Sequence, residues 1–203
     1  MISLCEHLTI LPTVDSTNNY AMAQVRAGLA KQGDAFFALD QTAGKGQRGK
    51  GWQTESGNNI ILSLVLQPLW LPIVQQFRLN SAVALGCFDL FTSYAGKETK
   101  IKWPNDIYWR DRKAGGILIE NIVGQGKTGL AYEVDSHSQT QGNQQKINTP
   151  VSALWQWSIV GIGINVNQTH FPDHLPNPVS LKQITGRQSE VITLARELCS
   201  HIA

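Results

Sequence analysis

An α+β fold is what this sequence predicts, on three observations. Apolar residues recur at helical spacing in three separate places, around Tyr20, between Val74 and Leu90, and from Val191 onward. Short apolar runs of strand length lie between them, at residues 35–39, 59–66 and 155–165. After residue 99 the strand-like runs follow one another without an intervening helix, which favours segregated helices over an alternating parallel sheet.

Each element can be justified in turn. Asp15, Ser16, Thr17 and Asn18 read as a helix entry, because their side-chain oxygens can cap the free amides of a first turn. Tyr20, Ala21, Val25 and Leu29 then fall near helical spacing, with Gly28 and Gly33 flanking the exit. A strand over 35–39 delivers the chain to a glycine-rich loop, and residues 59–66 read as a buried strand. Trp70, Leu71 and Pro72 turn the chain. Val74, Phe77, Ala82, Leu85, Phe88 and Leu90 mark a long, mostly buried helix. Residues 99–103 form a strand stopped by Pro104, Asn105 and Asp106. Residues 107–109 continue it, 110–112 turn, and 116–120 return as a hairpin. Residues 135–149, rich in Ser, Gln, Asn and Gly, predict a solvated or disordered insertion. A strand with small residues resumes at 155–165, and Val191, Leu194, Leu198 and Ile202 put one apolar stripe on a last helix.

With 203 residues, 42% of them hydrophobic and 16% charged, the chain has the composition of one ordinary globular domain spanning 1–203. A net charge of +2 is too small to argue for a nucleic-acid partner. Cys5, Cys87 and Cys199 are odd in number, far apart and outside any C-x-x-C pairing, so neither a disulfide framework nor a metal site is expected. Glu6 and His7 interrupt any signal core, and the apolar run at 60–66 is too short to span a bilayer. The expectation is a cytoplasmic protein without a membrane partner.

The loop over residues 44–52 carries most of the chemistry. It packs four glycines, three cations and Trp52 into nine residues. Glycines let backbone amides approach a ligand and the cations match phosphate charge. Gly44, Gly46 and Gly49 satisfy G-x-G-x-x-G, but a strand follows instead of a helix, and no acidic residue stands between Glu55 and Asp89 to hold a ribose. A Walker A reading fails because Gly51 stands where Ser or Thr should hold magnesium, and a kinase-type loop wants Val there. Glycine content also predicts a mobile lid with little to pack against itself.

Five clusters call for a joint explanation: Asp15-Ser16-Thr17-Asn18, Gln41 to Gly46, Lys102-Trp103-Pro104-Asn105-Asp106, Lys113 to Leu118, and Gly161 to Asn165. In this order they resemble the catalytic domain of biotin protein ligases. The resemblance implies a mixed, largely antiparallel sheet flanked by helices, like the biotin/lipoyl ligases and class II aminoacyl-tRNA synthetases. It implies activation of biotin by ATP with magnesium, giving biotinyl-5′-AMP, then transfer to a lysine of a biotin carboxyl carrier protein such as an acetyl-CoA carboxylase subunit. A homodimer is compatible with it.

By that resemblance Lys113 is the catalytic cation at the junction of the biotin carboxylate and the α-phosphate. Ser16, Thr17, Asn18 and Gln41 would bond the ureido ring. Gly44, Lys45, Gly46, Gln47, Gly115 and Gly116 would complete the biotin channel. Arg48, Lys50, Trp52, Lys102, Asn105, Asp106 and Asn165 would serve the nucleotide. No residues are assigned to a resident metal. The family pattern G-R-G-R reads G-K-G-Q here, so Gln47 lacks the usual guanidinium and Arg48 is the candidate to supply it. No helix-turn-helix segment precedes Val14, so the repressor activity of some relatives is not implied; the small β-rich C-terminal domain that many relatives carry is a separate feature, not expected within this chain. Two alternatives stay open: a lipoate or octanoate ligase or transferase, and a catalytically weak biotin or adenylate sensor.

Overall fold

The computed structural model describes residues 4–125 and 153–203. Its strands are β1 (Leu8–Val14), β2 (Ala35–Gln41), β3 (Asn59–Leu66), β4 (Thr99–Lys102), β5 (Asp106–Trp109), β6 (Arg112–Gln125) and β7 (Ala153–Asn165). Its helices are α1 (Thr17–Arg26), α2 (Gln76–Ala95), α3 (Leu181–Thr185) and α4 (Val191–Ile202). The strands join in one sheet ordered β1-β2-β3-β7-β6-β5-β4. β1 and β2 run parallel, with α1 as their crossover, and the other neighbours are antiparallel. This is the mixed, largely antiparallel arrangement expected. The polar insertion at 135–149 lies outside the described residues.

Strand β3 shows how the sheet is dressed. All eight of its residues are buried. Ile60, Leu62 and Leu64 face the main core with α2 and α4, whereas Val65 joins a smaller cluster under α1 with Ala21, Phe36 and Ile159. Helices α2 and α4 meet closely at Gly86, where a Cβ would stand 2.9 Å from the His201 carbonyl oxygen.

Several expectations are corrected. Strand β1 was not foreseen; Pro12 disguises it, and its edge position tolerates the missing amide. Helix α1 ends at Arg26, leaving Leu29 exposed beyond it. Helix α2 begins at Gln76, after a 3-10 turn over Ile73–Gln75 that holds an exposed Val74. Phe77 and Leu85 are exposed too, so burial is confined to the stripe through Leu79, Val83, Cys87 and Leu90. Residues 107–109 do not continue β4 but fold back on it, pairing Thr99 with Trp109 and Lys102 with Asp106. Two successive hairpins therefore replace the single one expected.

The cysteine reading is corrected as well. Cys5 and Cys199 are joined by a disulfide with 6.2 Å between their Cα atoms. It ties the start of the chain to α4, a pairing hidden by a separation of 194 residues. Cys87 remains a thiol, and complete burial pushes its ionisation far above the ordinary range.

Candidate active site

The α1 side of the sheet carries a pocket floored by glycine. Ser63, Gly161 and Leu118 form one row across β3, β7 and β6, and Ile61, Gly163 and Gly116 form the next. The rows are two residues apart, about 7 Å along the strands. A Cβ on Gly161 would stand 2.9 Å from Asn18 Cγ, and one on Gly163 would stand 2.6 Å from Trp52 Cζ2. The missing side chains let Asn18 and Trp52 lie directly on the sheet.

The first row lies under a neutral, polar end. Ser16, Thr17 and Asn18 are buried at the start of α1. Ser16 occupies the capping position in extended backbone, yet its side chain makes no capping bond, which corrects the expectation of a self-capped helix. The Thr17 amide instead donates to Gln41 Oε1 at 2.8 Å, from the end of β2. Ser63 Oγ lies 2.8 Å from Thr17 Oγ1 and 2.6 Å from Asn18 Oδ1. These bonds tie Thr17, Asn18, Gln41 and Ser63 to one another.

The second row lies under a cationic end. Lys113 Nζ stands 2.8 Å from Asp106 Oδ1 and 5.9 Å from the Trp52 ring centroid. Asn105 Nδ2 donates to the same carboxylate oxygen at 3.2 Å. A β-bulge delivers the lysine. Ile107 pairs with Gly115 but Tyr108 pairs with Lys113, so Ala114 is passed over. Strict alternation from Gly116 would have put Ala114 on the pocket side; the bulge puts Lys113 there instead and leaves Ala114 buried in the main core. The Lys113 backbone is clamped, its N–H donating to Asn177 O and its carbonyl accepting from Val179 N, both at 2.9 Å.

The glycine-rich loop closes over this floor and is tied to itself. Trp52 N donates to Gly44 O at 2.9 Å and Gly46 N to Lys50 O at 2.7 Å. Lys45 Nζ reaches Asn19 Oδ1 at 2.5 Å, and Asn19 Nδ2 reaches Asp15 Oδ2 at 2.5 Å. The Asn19 bond, helped by the Ser16 amide and the Lys45 charge, holds the Asp15 carboxyl below its usual range. The expectation that this loop has little to pack against is corrected.

Most of the residues singled out in sequence converge here. Ser16, Thr17, Asn18 and Gln41 line the pocket, with Lys45, Gly46 and Gln47 from the loop and Lys113 and Gly116 from β6. Gly44 and Gly115 stand just behind, where a Cβ would meet Gln41 Nε2 at 2.7 Å and Gly163 O at 2.9 Å respectively. Of the residues expected at the nucleotide, Trp52, Asn105 and Asp106 line the pocket. Arg48, Lys50 and Lys102 are exposed and outside it, Lys102 lying over the Tyr108 ring. Asn165 lies outside the lining: it is buried, and its Nδ2 donates to Val179 O at 3.1 Å, bracing the segment that clamps Lys113. Sequence reasoning assigned no role to Ile61 or Leu118, which line the pocket as well; Ile117 and Ile162 border it from the main core. Only the register of β3 and β6 distinguishes Ile61 and Leu118 from core residues.

Comparison with known proteins follows from this geometry. A family model described as the biotin/lipoate A/B protein ligase family matches residues 10–134. The bifunctional ligase/repressor BirA of Escherichia coli K12 is 35% identical over 127 residues, which are 63% of this chain and 38% of that protein. The chain thus spans well under half the length of that relative. The structure of the Aquifex aeolicus biotin protein ligase in complex with biotin and ATP matches with a TM-score of 0.70 at 24% identity, covering 97% of this chain and 68% of that one. The Leishmania major biotin protein ligase in complex with biotinyl-5-AMP matches with a TM-score of 0.70 at 22% identity, covering 97% and 73%. These two likenesses are of fold. The family model covers more than half of the sequence, including the first helix, the glycine-rich loop and Lys113, and the chain belongs to the biotin/lipoate A/B protein ligase family.

Proposed function

We propose that this chain is a biotin protein ligase catalytic domain. It would activate biotin with ATP and pass the biotinyl group to a lysine of a biotin carboxyl carrier protein. One observation carries the reading: a neutral polar end and a cationic end share one glycine-floored pocket, on adjacent sheet rows two residues apart. A cyclic urea needs donors and acceptors in an otherwise apolar setting, as Thr17, Asn18 and Gln41 provide above Gly161. The acid at the far end of the same ligand would then lie beside Lys113.

The chemistry follows from charge. In the first step a biotin carboxylate oxygen bonds to the α-phosphorus of ATP and pyrophosphate leaves. Two anions must meet, and Lys113 offsets their repulsion with an oriented cation. Asp106 and Asn105 hold that ammonium in place before substrate arrives. In the second step the carrier lysine amine attacks the anhydride carbonyl and AMP leaves. Trp52 and the loop over 44–52 would shield the anhydride from water. Magnesium supplies charge neutralisation to the phosphates. Asp106, the carboxylate in the pocket lining, already accepts from Lys113 and Asn105 and is the residue that would help hold the cation.

No helix among the described residues is long and apolar enough to cross a membrane. A ligase that draws on ATP and a carrier protein would work in the cytoplasm. The test is pyrophosphate release with biotin, with lipoate and with no added acid. Release with biotin alone supports the ligase; release with lipoate would move the chain to the lipoate branch, and none with either would leave a binding protein.

A further inference from the structure

A carboxylate stands on the α1 side of the sheet where apolar neighbours would otherwise predict an apolar residue. Glu120 occupies the row beside Ser63, Gly161 and Leu118, level with the fully buried Val65 and Ile159. Its Oε2 accepts from Asn18 Nδ2 at 2.7 Å, and the Leu118 carbonyl accepts from the same amide at 3.3 Å. Two acceptors on one side decide which end of the Asn18 amide is nitrogen. Asn18 Oδ1 therefore faces Ser63, and only the Ser63 hydroxyl can donate across that 2.6 Å contact. Ser63 Oγ, its one proton committed, must accept from Thr17 at 2.8 Å. The longer alternative for the Thr17 proton is Gln41 Oε1, at 3.2 Å. Either way that proton points to protein, and Thr17 Oγ1 turns lone pairs to the pocket. Gln41 is oriented independently, because the Thr17 backbone N–H can only donate to its Oε1. Gln41 Nε2 is left as a donor, and among the described residues nothing accepts from it.

We propose that Glu120 and Ser63 are positioning residues that set the hydrogen-bond polarity of the pocket's neutral end. They select a head group that donates N–H to Thr17 and offers a carbonyl to Gln41. The inference rests on the biotin reading and deepens it: a urea has this donor and acceptor pattern, and a guanidinium does not. Such a relay would act on recognition of the head group, not on the reacting carboxylate, which lies a sheet row away.

The test uses the full chain carrying Glu120→Leu, Glu120→Gln or Ser63→Ala. Pyrophosphate release is followed against biotin concentration, and 2-iminobiotin, whose guanidinium replaces the urea carbonyl by N–H donors, competes for binding. Glu120→Leu and Ser63→Ala should raise KM for biotin about tenfold or more, the size of a lost charge-assisted bond, with a much smaller fall in kcat. Their preference for biotin over 2-iminobiotin should narrow by a similar factor. Glu120→Gln, whose amide oxygen can still accept from Asn18, should stay near the wild-type KM. An unchanged KM and preference in Glu120→Leu and Ser63→Ala overturns the proposal, as does equal impairment of Glu120→Gln and Glu120→Leu. Should Glu120→Leu not fold, Ser63→Ala removes a single oxygen and carries the same outcomes. A wild-type chain without biotin-dependent pyrophosphate release would overturn the ligase reading instead.

Discussion

Lys113 and Asp106 form an ion pair of 2.8 Å across the β5–β6 hairpin, and a one-residue bulge at Ala114 makes it possible. Both side chains are partly exposed at the pocket wall, at 31% and 19%. Water therefore screens the pair, which counts for placement more than for stability. What it does is hold an ammonium beside the Trp52 ring, at the end of the pocket where charge would develop.

Lys113→Ala should slow adenylation by about 10²–10³-fold, the effect of losing one oriented electrostatic stabiliser. The fold should survive, because the backbone clamp to Asn177 and Val179 does not involve the side chain. Single-turnover pyrophosphate release measures the rate and circular dichroism the fold. An unchanged rate would remove Lys113 from the chemistry.

Biotin should raise the melting temperature, and lipoate or octanoate should not. A ligand at 100 times its Kd stabilises the native state by about 2.7 kcal/mol. The dithiolane of lipoate would leave the Thr17 and Gln41 polar groups without partners. A thermal shift with lipoate alone would reverse the assignment.

The loop over 44–52 should gain amide exchange protection when biotin and ATP bind, as Lys45 and its neighbours meet phosphate. Its internal bonds, such as Gly46 N to Lys50 O, mean that protection begins above that of an open coil. Hydrogen exchange with identical protection in both states would mark the loop as purely structural.

Gln47→Arg should slow release of the adenylate. Gln47 lines the pocket, whereas Arg48 is exposed outside it, so the neighbouring cation does not fill the position that the guanidinium would take. A guanidinium at residue 47 would add a charge-assisted contact to phosphate. Stopped-flow dissociation decides: a rate that stays the same or increases argues for crowding instead.

Much of the site was legible before folding was considered. Ser16, Thr17, Asn18, Gln41, Lys113 and Gly116 are polar, charged or glycine residues in short clusters, and local chemistry marks such clusters wherever they stand. Residue type does not tell the cations apart: Lys45 lines the pocket whereas Lys50 and Lys102 stand outside it, and only their direction in space separates them. Nor does type show that the Asn165 amide is engaged by the Val179 carbonyl.

The sequence by itself determined most of the elements and their order, β1 and the β4–β5 hairpin excepted, because helical and strand periodicities are local properties of side-chain spacing. It also determined the chemical inventory of the pocket. Tertiary structure decided the rest, since register and pairing depend on residues far apart in the chain. The Cys5–Cys199 bond joins positions 194 residues apart. Gln41 completes a helix start that lies 24 residues earlier. Glu120 orients Asn18 across 102 residues, and a bulge that pairing alone creates turns Lys113 toward the pocket rather than away from it. Each is a contact between separate segments of the chain, and no periodicity along one segment encodes which face of another it will meet.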